Sequence, residues 1–442
     1  MDFSKKNILV CGLARSGQAA LSLLAKQGAR LTAQDMKKDI EWKIPPQDNI
    51  KMCLGKNPDD IIKNFDLVVI SPGIPFDLPF LEKARSLNIP VWGEIELAYR
   101  FCPSPIIAIT GTNGKTTVST LVGEIMQRHN GRTTVVGNIG LPFTERVENL
   151  SPEDWVVAEV SSFQLETTHD FAPKISAVLN MTPDHLDRHK TFETYQYTKE
   201  RIFAKQSKGD CAILGYDNKI TKNMRPPCHS IFFSAKEKLE EGVFLDDGVI
   251  RARLFGKDFT ITKAAPLRIM PENALAATAL CLCAGVPAKT IAEGLNAFSG
   301  VPHRLEYINT IGGVEYYNDS KATNTDSAIK GIEAMKSPII LIGGGFDKAA
   351  NFDDWVSCFE GRVKKLIVMG ESAKQIIKTC QKYKYNTYEE VKSLQEAVKM
   401  AHDAAKPGDC VLLSPACASW DMFKDFEERG NLFKAFVKNY EI

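Results

Sequence analysis

The sequence Thr-Gly-Thr-Asn-Gly-Lys-Thr-Thr at residues 110–117 carries the clearest chemical signal in this chain of 442 residues. It follows a predicted strand over residues 106–109 and opens a predicted helix that ends near residue 129. Small residues in such a turn let backbone N–H groups surround a phosphate at a helix N-terminus, where the helix dipole also favours an anion. Lys115 can reach the β- and γ-phosphates, and the hydroxyl of Thr116 can bind Mg²⁺. The strand–loop–helix context therefore predicts a P-loop, although the general pattern has a glycine where this chain has Ile109.

Two further polar segments follow predicted strands and could complete a nucleotide site. Glu159 ends the predicted strand over residues 155–159 and is a candidate magnesium ligand, with an ordinary loop carboxylate as the alternative. The segment at residues 180–189 contains His185 and His189, whose spacing would place both on one face of a helix. The glutamate that a zinc metalloprotease has after its first histidine is missing, which excludes that motif. Because ligands of α/β proteins bind at the carboxyl ends of the strands, we expect His185 to lie at the edge that carries the P-loop.

A third turn, at residues 11–17, joins a predicted strand over residues 8–11 to a predicted helix over residues 16–27. The dinucleotide fingerprint G-x-G-x-x-G has glycine where this chain has Ala14, whereas Asp35 stands where a Rossmann domain keeps its ribose-binding acid. Three interpretations follow: a nicotinamide-binding oxidoreductase, a Rossmann-like domain for another nucleotide, or a turn without a ligand. We favour the second, because the side chain of Ala14 obstructs the closest approach of a phosphate to the backbone.

Short β-branched runs alternate with helical patterns along the chain, which predicts an α/β fold with parallel sheets. These patterns form three blocks, and the length is also typical of about three domains. The predicted domains are residues 1–93, 94–299 and 300–442. A less regular, hairpin-like region is predicted at residues 230–267, before two helices that follow Pro271. Other predicted strands are at residues 30–33, 66–70, 175–179, 211–214, 315–318, 339–342, 365–369 and 410–413, and a helix is predicted at residues 94–101.

The composition excludes several classes of protein. Lys+Arg 55 against Asp+Glu 54 gives a net charge of +1, so no charge excess indicates nucleic-acid binding or an anionic membrane surface. The eleven cysteines are scattered without a C-x-x-C pair, which predicts free thiols in a reducing compartment. No apolar run approaches the ~20 residues of a transmembrane helix, and the N-terminus lacks a signal-peptide pattern. We therefore expect a cytoplasmic protein with no nucleic-acid partner and no membrane insertion.

Taken together, these motifs resemble the Mur ligases, ATP-dependent amide ligases of peptidoglycan precursor synthesis. The P-loop of that family also lacks the outer glycine. The resemblance covers all three blocks, through the P-loop and the segments at residues 137–140, 159–166, 184–189, 303–304, 318–324 and 414–419. It implies a Rossmann-like N-terminal domain for a UDP-linked precursor, a P-loop ATPase-like central domain and a Rossmann-like C-terminal domain for an amino acid. The segments at residues 318–324 and 414–419 resemble most the family member that adds D-glutamate.

The resemblance also implies roles for individual residues. The implied ATP contacts are Gly111, Thr112, Asn113, Gly114, Lys115, Thr116, Thr117, Asn273, Arg304, Asp319 and Lys321. The implied contacts of the UDP precursor are Leu13, Ala14, Arg15, Asp35, Ser71, Gly73, Asn138, Ser161, Gln164 and His185. The implied contacts of D-glutamate are Thr323, Lys348, Ser419 and Phe426. The implied catalytic residues are Lys115, Glu159, His185 and Lys199.

The implied reaction joins D-glutamate to UDP-N-acetylmuramoyl-L-alanine through an acyl-phosphate, with ATP and two Mg²⁺ ions. Nothing in the sequence requires more than a monomer. One ion is expected on Thr116 and Glu159, and the other on His185 and a carbamylated Lys199. The alternative for Lys199 is an exposed helix lysine, and the alternative for Lys348 is a solvated surface charge. For the whole chain, the alternatives are another Mur-type or folylpolyglutamate-type ligase, an NAD-binding oxidoreductase, and an ATP-binding regulator without chemistry.

Overall fold

The computed structural model describes residues 2–43, 50–265, 267, 269–346 and 350–440. The chain divides into two compact units, Met1–Phe298 and Ser299–Ile442. The first unit contains two β-sheets and the second unit contains one, each accompanied by helices. The predicted α/β fold with three sheets is therefore confirmed. Among the described residues, no helix combines the length and the apolar character needed to cross a membrane.

The first sheet is parallel throughout and consists of β1 (Asn7–Cys11), β2 (Arg30–Asp35), β3 (Lys51–Leu54), β4 (Leu67–Ile70) and β5 (Val91–Gly93). Its strand order is β3-β2-β1-β4-β5. The helices of this part are α1 (Arg15–Lys26), α2 (Pro79–Ser86) and α3 (Glu94–Phe101). Because β1 lies between β2 and β4, the carboxyl ends of these three strands bring Gly12, Asp35 and Ser71 to one edge of the sheet.

The second sheet consists of β6 (Ile106–Thr110), β7 (Thr133–Gly137), β8 (Trp155–Glu159), β9 (Ile175–Val178), β10 (Cys211–Gly215), β11 (His229–Ser234), β12 (Gly242–Asp246), β13 (Val249–Leu254) and β14 (Lys257–Lys263). Its order is β14-β13-β12-β11-β10-β9-β6-β8-β7, and only the pairs β12–β13 and β13–β14 are antiparallel. Its helices are α4 (Lys115–Asn130), α5 (Phe143–Arg146), α6 (Ser162–Leu165), α7 (Leu186–His189), α8 (Phe192–Glu200), α9 (Pro271–Cys283) and α10 (Ala288–Ala297). The predicted hairpin-like region is thus confirmed. The strand β6, which leads into the P-loop, is fully buried between β8 and β9.

The third sheet forms the second unit and consists of β15 (Glu306–Ile311), β16 (Val314–Asn318), β17 (Ile339–Gly344), β18 (Val363–Met369), β19 (Tyr388–Glu390) and β20 (Cys410–Leu413). Its order is β15-β16-β20-β17-β18-β19, and only β15–β16 is antiparallel. Its helices are α11 (Thr325–Ala334), α12 (Asp353–Ser357), α13 (Ala373–Lys382), α14 (Leu394–Ala404) and α15 (Phe426–Lys438). Hydrophobic clusters lie on both faces of this sheet. The carboxyl ends of β16 and β20 lead directly into the segments at residues 319–324 and 414–419.

The sequence patterns predict the buried strands of the three sheets to within two residues but do not identify β3, β5, β7, β15 and β19 as strands. Each of these five strands lies at the edge of its sheet. Four of them are only partly buried, so their sequences have little of the apolar run or alternation that identifies a strand, and β5 is buried but only three residues long. The burial of β19, with two of its three residues exposed, illustrates this. All eleven cysteines are free, as the sequence predicts.

Candidate active site

The P-loop connects β6 to α4 and has the backbone that its glycines predict. Gly114, immediately before α4, has a φ of +86°, which glycine adopts without the steric cost that a side chain would add. A Cβ atom at this position would lie 2.5 Å from Oδ1 of Asn273. The side chain of Asn273, on α9, therefore packs against the P-loop, where an ATP contact is predicted.

Three residues that sequence reasoning missed hold the P-loop in place. The side-chain amide of Asn180 accepts a hydrogen bond from the Asn113 backbone (2.9 Å) and donates one to the Asn113 carbonyl (3.0 Å). The hydroxyl of Thr112 donates to the Thr182 carbonyl and accepts from the Thr182 backbone, both at 3.0 Å, and lies 3.2 Å from the Tyr195 hydroxyl. The only sequence signal for Asn180 and Thr182 is their position just after a predicted strand, because the sequence does not reveal that this strand pairs with β6.

Two lysine side chains converge on a single carbonyl oxygen of the P-loop. Lys115 Nζ donates to the carbonyls of Gly111 and Thr112, both at 2.9 Å. Lys199 Nζ donates to the same Gly111 carbonyl at 3.0 Å and to the Thr110 hydroxyl at 3.2 Å. The two predicted catalytic lysines are therefore neighbours, although α8 lies far from the P-loop in the sequence.

Lys199 is only 1% exposed, which excludes the alternative of an exposed helix lysine. Burial, and next the positive charge of Lys115, hold the pKa of Lys199 well below its usual value. The carboxylates of Asp184 and Glu159 oppose this shift of the pKa. The surroundings thus favour a neutral amine at Lys199.

Glu159 ends β8 beside the P-loop strand and is 1% exposed. Its Oε1 atom accepts a hydrogen bond from the Asn138 side chain at 2.7 Å, whereas Oε2 is buried and has no hydrogen-bond donor among the described residues. A buried carboxylate oxygen without a donor fits a cation, since oxygen ligands are those that Mg²⁺ prefers. Thr116 stands in the first turn of α4, as the P-loop pattern predicts.

The two histidines of the segment after β9 lie at the two ends of the short helix α7, and both rings pack against Phe163. His185 has a left-handed backbone (φ +53°) before α7, and its ring lies edge-on to Phe163 with 4.9 Å between the ring centroids. The carboxylate of Asp184 lies 3.7 Å from His185 Nε2. His189 ends α7 with its Nε2 atom 2.9 Å from the Ser162 hydroxyl, and burial lowers its pKa to about 4. The residues that the structure describes contain no group of three or more His, Cys, Asp or Glu suited to a metal ion. Mg²⁺ needs no such group, since it commonly takes one or two carboxylates and completes its shell with phosphates and water.

Three predicted precursor contacts near the second sheet, Asn138, Ser161 and Gln164, form hydrogen bonds with neighbouring groups of the protein. The backbone N–H of Asn138 donates to the Glu159 carbonyl at 2.9 Å, next to the side-chain bond described above. Ser161 and Gln164 form a capping box at the start of α6, in which the Ser161 N–H donates to Gln164 Oε1 at 3.0 Å. These hydrogen bonds fix the backbone that joins β8 to α6.

The turn after β1 is held by two side chains from neighbouring strands. The carboxylate of Asp35 accepts a hydrogen bond from the Leu13 N–H at 2.7 Å, and the Ser71 hydroxyl donates to the Gly12 carbonyl at 2.7 Å. The side chain of Leu13 belongs to the core. The exposed predicted contacts at this edge are Ala14, Arg15 and Gly73.

In the second unit, Asp319 follows β16 and is 1% exposed. It accepts hydrogen bonds from the Ser414 hydroxyl at 2.9 Å and from the Leu305 N–H at 3.3 Å, and burial raises its pKa to about 6. The neighbouring Arg304 donates to the Ser327 hydroxyl at 2.6 Å, and its charge limits the rise of the Asp319 pKa. Two of the three predicted ATP contacts of this unit, Arg304 and Asp319, therefore form hydrogen bonds within the unit.

The predicted amino-acid contacts of the second unit lie on the loops after β16 and β20 and at the start of α15. The ammonium of Lys321, a predicted ATP contact, lies 5.1 Å from the centroid of the ring of Phe426, a predicted D-glutamate contact. Thr323 follows in the same loop, and Ser419 is buried in the loop after β20. The predicted contact Lys348 lies outside the described residues.

Arg429, which sequence reasoning missed, ties these loops together. Its guanidinium is 1% exposed and donates to the hydroxyl and carbonyl of Ser320 (2.9 and 2.8 Å) and to the carbonyls of Cys417 (3.2 Å) and Ala418 (3.3 Å). Burial lowers the pKa of Arg429 to about 10. An arginine on a helix gives no sequence signal that it will be buried against two loops, one of which is 109 residues away.

The P-loop at the carboxyl edge of a mostly parallel sheet, with its lysine and a buried carboxylate, defines a nucleotide-binding α/β protein of the P-loop class. Three family models match successive parts of the chain: the Mur ligase MurD-like N-terminal domain at residues 6–93, the Mur ligase middle domain at residues 109–281, and the Mur ligase glutamate ligase domain at residues 303–417. The chain belongs to the Mur ligase family. It is thus a ligase, which confirms the resemblance and decides against the oxidoreductase alternative.

Curated relatives match over almost the whole chain. A UDP-N-acetylmuramoylalanine–D-glutamate ligase of Alkaliphilus metalliredigens is 44% identical over 451 residues, covering 99% of both chains. The enzyme of the same name from a Thermoanaerobacter species is 44% identical over 449 residues, again covering 99% of both chains.

Solved structures share the fold at lower identity. A pseudomurein peptide ligase type C from Methanothermus fervidus superposes with a TM-score of 0.60 at 19% identity, covering 98% of this chain and 100% of that one. A MurF ligase from Thermotoga maritima, solved in complex with ADP, gives a TM-score of 0.61 at 14% identity, covering 99% and 96%.

Proposed function

We propose that this chain is the ATP-dependent ligase that joins D-glutamate to UDP-N-acetylmuramoyl-L-alanine in peptidoglycan precursor synthesis. The observation that carries the proposal is the pair of lysines on the Gly111 carbonyl, next to the buried carboxylate of Glu159. This arrangement serves phosphoryl transfer, and the name shared by relatives at 43–45% identity supplies the two substrates.

The residues of the P-loop suit the first step. The carboxylate of the nucleotide-linked L-alanine attacks the γ-phosphate of ATP, which gives an acyl-phosphate and ADP. Because two anions meet, positive charge and backbone N–H groups must offset their repulsion, and Lys115 with the N-terminus of α4 provides both. The amine of D-glutamate then attacks the acyl carbon, and phosphate leaves from the tetrahedral intermediate.

Glu159 and Thr116 would hold a nucleotide-bound Mg²⁺, and His185 with a carbamylated Lys199 would hold a second ion. When bound, Mg²⁺ neutralises charge on the transferring phosphoryl group. The buried Oε2 atom of Glu159 supports the first site. Carbamylation consumes a neutral amine, and the buried side chain of Lys199 supports it. A carbamate would also place a negative charge beside the ammonium of Lys115.

The precursor is assigned to the edge of the first sheet and to the segments of the second sheet near the P-loop. In this proposal its contacts are Leu13, Ala14, Arg15, Asp35, Ser71, Gly73, Asn138, Ser161, Gln164 and His185. Arg304, Asp319 and Lys321 are the proposed ATP contacts of the second unit. The proposed D-glutamate contacts are Thr323, Lys348, Ser419 and Phe426, of which the lysine and the hydroxyl groups suit carboxylates.

The proposal divides the chain into functional domains at residues 1–93, 94–299 and 300–442. It places the enzyme in the cytoplasm, because eleven free thiols suit a reducing compartment. We propose a monomer, since every assigned role falls on a residue of one chain.

The test is phosphate release with ATP, Mg²⁺, UDP-N-acetylmuramoyl-L-alanine and a panel of amino acids. Only D-glutamate should support release and formation of the amide. Lys115→Ala is the matched inactive enzyme and should lose at least about 100-fold in turnover while its unfolding transition is retained. Equal activity with L-lysine or diaminopimelate would contradict the substrate assignment, and near-normal turnover of Lys115→Ala would contradict the site.

A further inference from the structure

One arginine of the first unit spans two segments to which precursor binding is assigned separately. Arg188 lies on α7, three residues after His185. Its Nη1 atom donates to the Pro72 carbonyl at 2.8 Å, and its Nη2 atom donates to the Ile74 carbonyl at 2.9 Å. These carbonyls flank Gly73, in the loop after β4. The two residues are more than a hundred positions from Arg188 along the chain, so this contact comes from the tertiary structure alone.

The rest of the guanidinium is fixed by a carboxylate and a ring. Nε and Nη2 donate to the Glu166 carboxylate, with the shortest distance 2.6 Å, and each side chain is only 13% exposed. The guanidinium carbon lies 4.1 Å from the centroid of the Phe163 ring. The ring of His185 packs against the same phenylalanine at 4.9 Å. Arg188 and His185 therefore pack against the same aromatic ring.

The loop that Arg188 contacts, at residues 71–74, follows β4 at the carboxyl edge of the first sheet. Its Ile74 N–H donates to the Ser71 carbonyl at 3.0 Å, and the Ser71 hydroxyl holds the Gly12 carbonyl. Gly73 is exposed between the two carbonyls that Arg188 binds, with no atom within 4 Å of where a Cβ would be. A displacement of these carbonyls would therefore move the exposed backbone at Gly73.

We propose that Arg188 is a positioning residue that sets the loop at residues 71–74 against the His185 segment, so that one UDP-linked precursor can contact both. The inference rests on the proposed function, which supplies the ligand. A planar guanidinium can bind two carbonyls, a carboxylate and an aromatic face at the same time. An ammonium cannot, because its charge is compact and its donors do not form a fork.

An interaction that positions a ligand without touching the reacting atoms changes ground-state and transition-state binding alike. Arg188→Lys should therefore raise the KM for UDP-N-acetylmuramoyl-L-alanine about tenfold or more, with kcat within about threefold. The KM for ATP should stay within about twofold, since the contacts of Arg188 do not include the P-loop. Arg188→Ala should shift the precursor KM at least as far.

The matched control is Arg100→Lys. Arg100 pairs with the carboxylates of Glu96 and Asp170 and lies 4.9 Å from the centroid of the Trp92 ring, so it has the same kinds of partner without the loop at residues 71–74. Arg100→Lys should leave the KM for the precursor, the KM for ATP and kcat unchanged. Calorimetric titration of each variant with the precursor alone, and with ATP alone, gives the same comparison without turnover.

The outcomes separate the inference from the proposed function. A wild-type enzyme that ligates D-glutamate, with Arg188→Lys equal to it in every constant, overturns the role of Arg188 alone. A parallel loss of precursor and ATP binding in both Arg188 variants also overturns it, since that pattern marks a purely structural contact. A wild-type chain that neither binds nor consumes the precursor overturns the proposed function and this inference together.

Discussion

At the scale of single residues, the P-loop brings two potential cations to one carbonyl oxygen. Lys115 and Lys199 both donate to Gly111, and burial, together with the positive charge of Lys115, lowers the pKa of Lys199 and so favours its neutral form. A buried ionisable group is costly, so a lysine with a strongly lowered pKa beside a nucleotide-binding loop is a candidate for a chemical role. The Oε2 atom of Glu159 is likewise costly to bury, since it is an acceptor to which no described group donates a hydrogen bond.

Replacement of Lys199 tests whether a carbamate acts here. Lys199→Ala should reduce ATP-dependent phosphate release by at least about 100-fold, because it removes the proposed ligand of the second ion. Formate or acetate should restore part of the activity by supplying carboxylate oxygens to the vacated position. Lys205→Ala, which removes an exposed lysine shortly after α8, should keep full activity and show no response to these acids. Normal turnover of Lys199→Ala would refute the assignment.

The unsatisfied oxygen of Glu159 leads to a prediction about magnesium. Glu159→Gln retains the size of the side chain but weakens it as a cation ligand, so the Mg²⁺ concentration for half-maximal phosphate release should rise about tenfold or more. The control is Glu94→Gln, because Glu94 is also buried but its Oε1 atom accepts bonds from the Thr144 N–H (2.6 Å) and hydroxyl (2.9 Å). An unchanged Mg²⁺ requirement in Glu159→Gln would place the ion elsewhere.

At the scale of elements, function gathers where parallel strands end. In the first sheet, the ends of β1, β2 and β4 place the Gly12 turn, Asp35 and Ser71 together. In the second sheet, β6, β8 and β9 do the same for the P-loop, Glu159 and Asn180. Small residues near these strand ends, such as Gly17 and Gly114, permit the close approach of neighbouring groups.

Gly17 allows the first of these approaches. A Cβ atom at Gly17 would overlap the Gly12 carbonyl oxygen, so Gly17→Ala must displace the turn or the start of α1. We expect a loss of about 1–3 kcal/mol in the free energy of unfolding, measured by urea denaturation. Gly73→Ala is the control for stability, because its Cβ would meet no atom within 4 Å, and its unfolding should be close to that of the wild type. Equal stabilities of the two variants would contradict this account of the turn.

At the scale of the whole molecule, the two units each enclose their own core, and the second unit also encloses opposite charges. Asp319 and Arg429 are both almost fully buried and belong to the same unit. Burial raises the pKa of Asp319 to about 6 and lowers that of Arg429 to about 10, so both shifts disfavour the charged form.

The raised pKa of Asp319 makes the stability of the protein depend on pH. The folded state holds the Asp319 proton more tightly than the unfolded chain, whose aspartate pKa is about 3.9. The resulting contribution is fully present below that value and is lost as the pH rises through about 6. Unfolding in urea between pH 4 and 7 should therefore show the wild type losing stability relative to Asp319→Asn as the pH rises.

Asp403→Asn is the control for this pH series, because the pKa of Asp403 is shifted in the opposite direction from that of Asp319. The hydrogen bond from Lys399 lowers the pKa of Asp403, so its small contribution is present at neutral pH and lost on acidification. A stability difference between the wild type and Asp319→Asn that stays constant from pH 4 to 7 would contradict the buried titration of Asp319.

The sequence alone determined the local parts of this protein. A P-loop consists of consecutive residues between a strand and a helix, so the spacing of Gly111, Gly114 and Lys115 was sufficient to identify it. Buried strands were recognised by their continuous apolar runs. The edge strands β3, β7, β15 and β19 were missed because partial exposure weakens that pattern, and the edge strand β5 was missed because it has only three residues. The family followed from motifs of the same local kind.

Only the tertiary structure decided which distant side chains complete the site. Asn180 reaches the P-loop across 67 positions because β9 pairs with β6, and Lys199 reaches it across 89 positions from α8. Arg188 and Arg429 likewise bind loops that are remote in sequence. Strand order depends on how apolar faces are buried over the whole unit, and no short stretch of sequence contains that information.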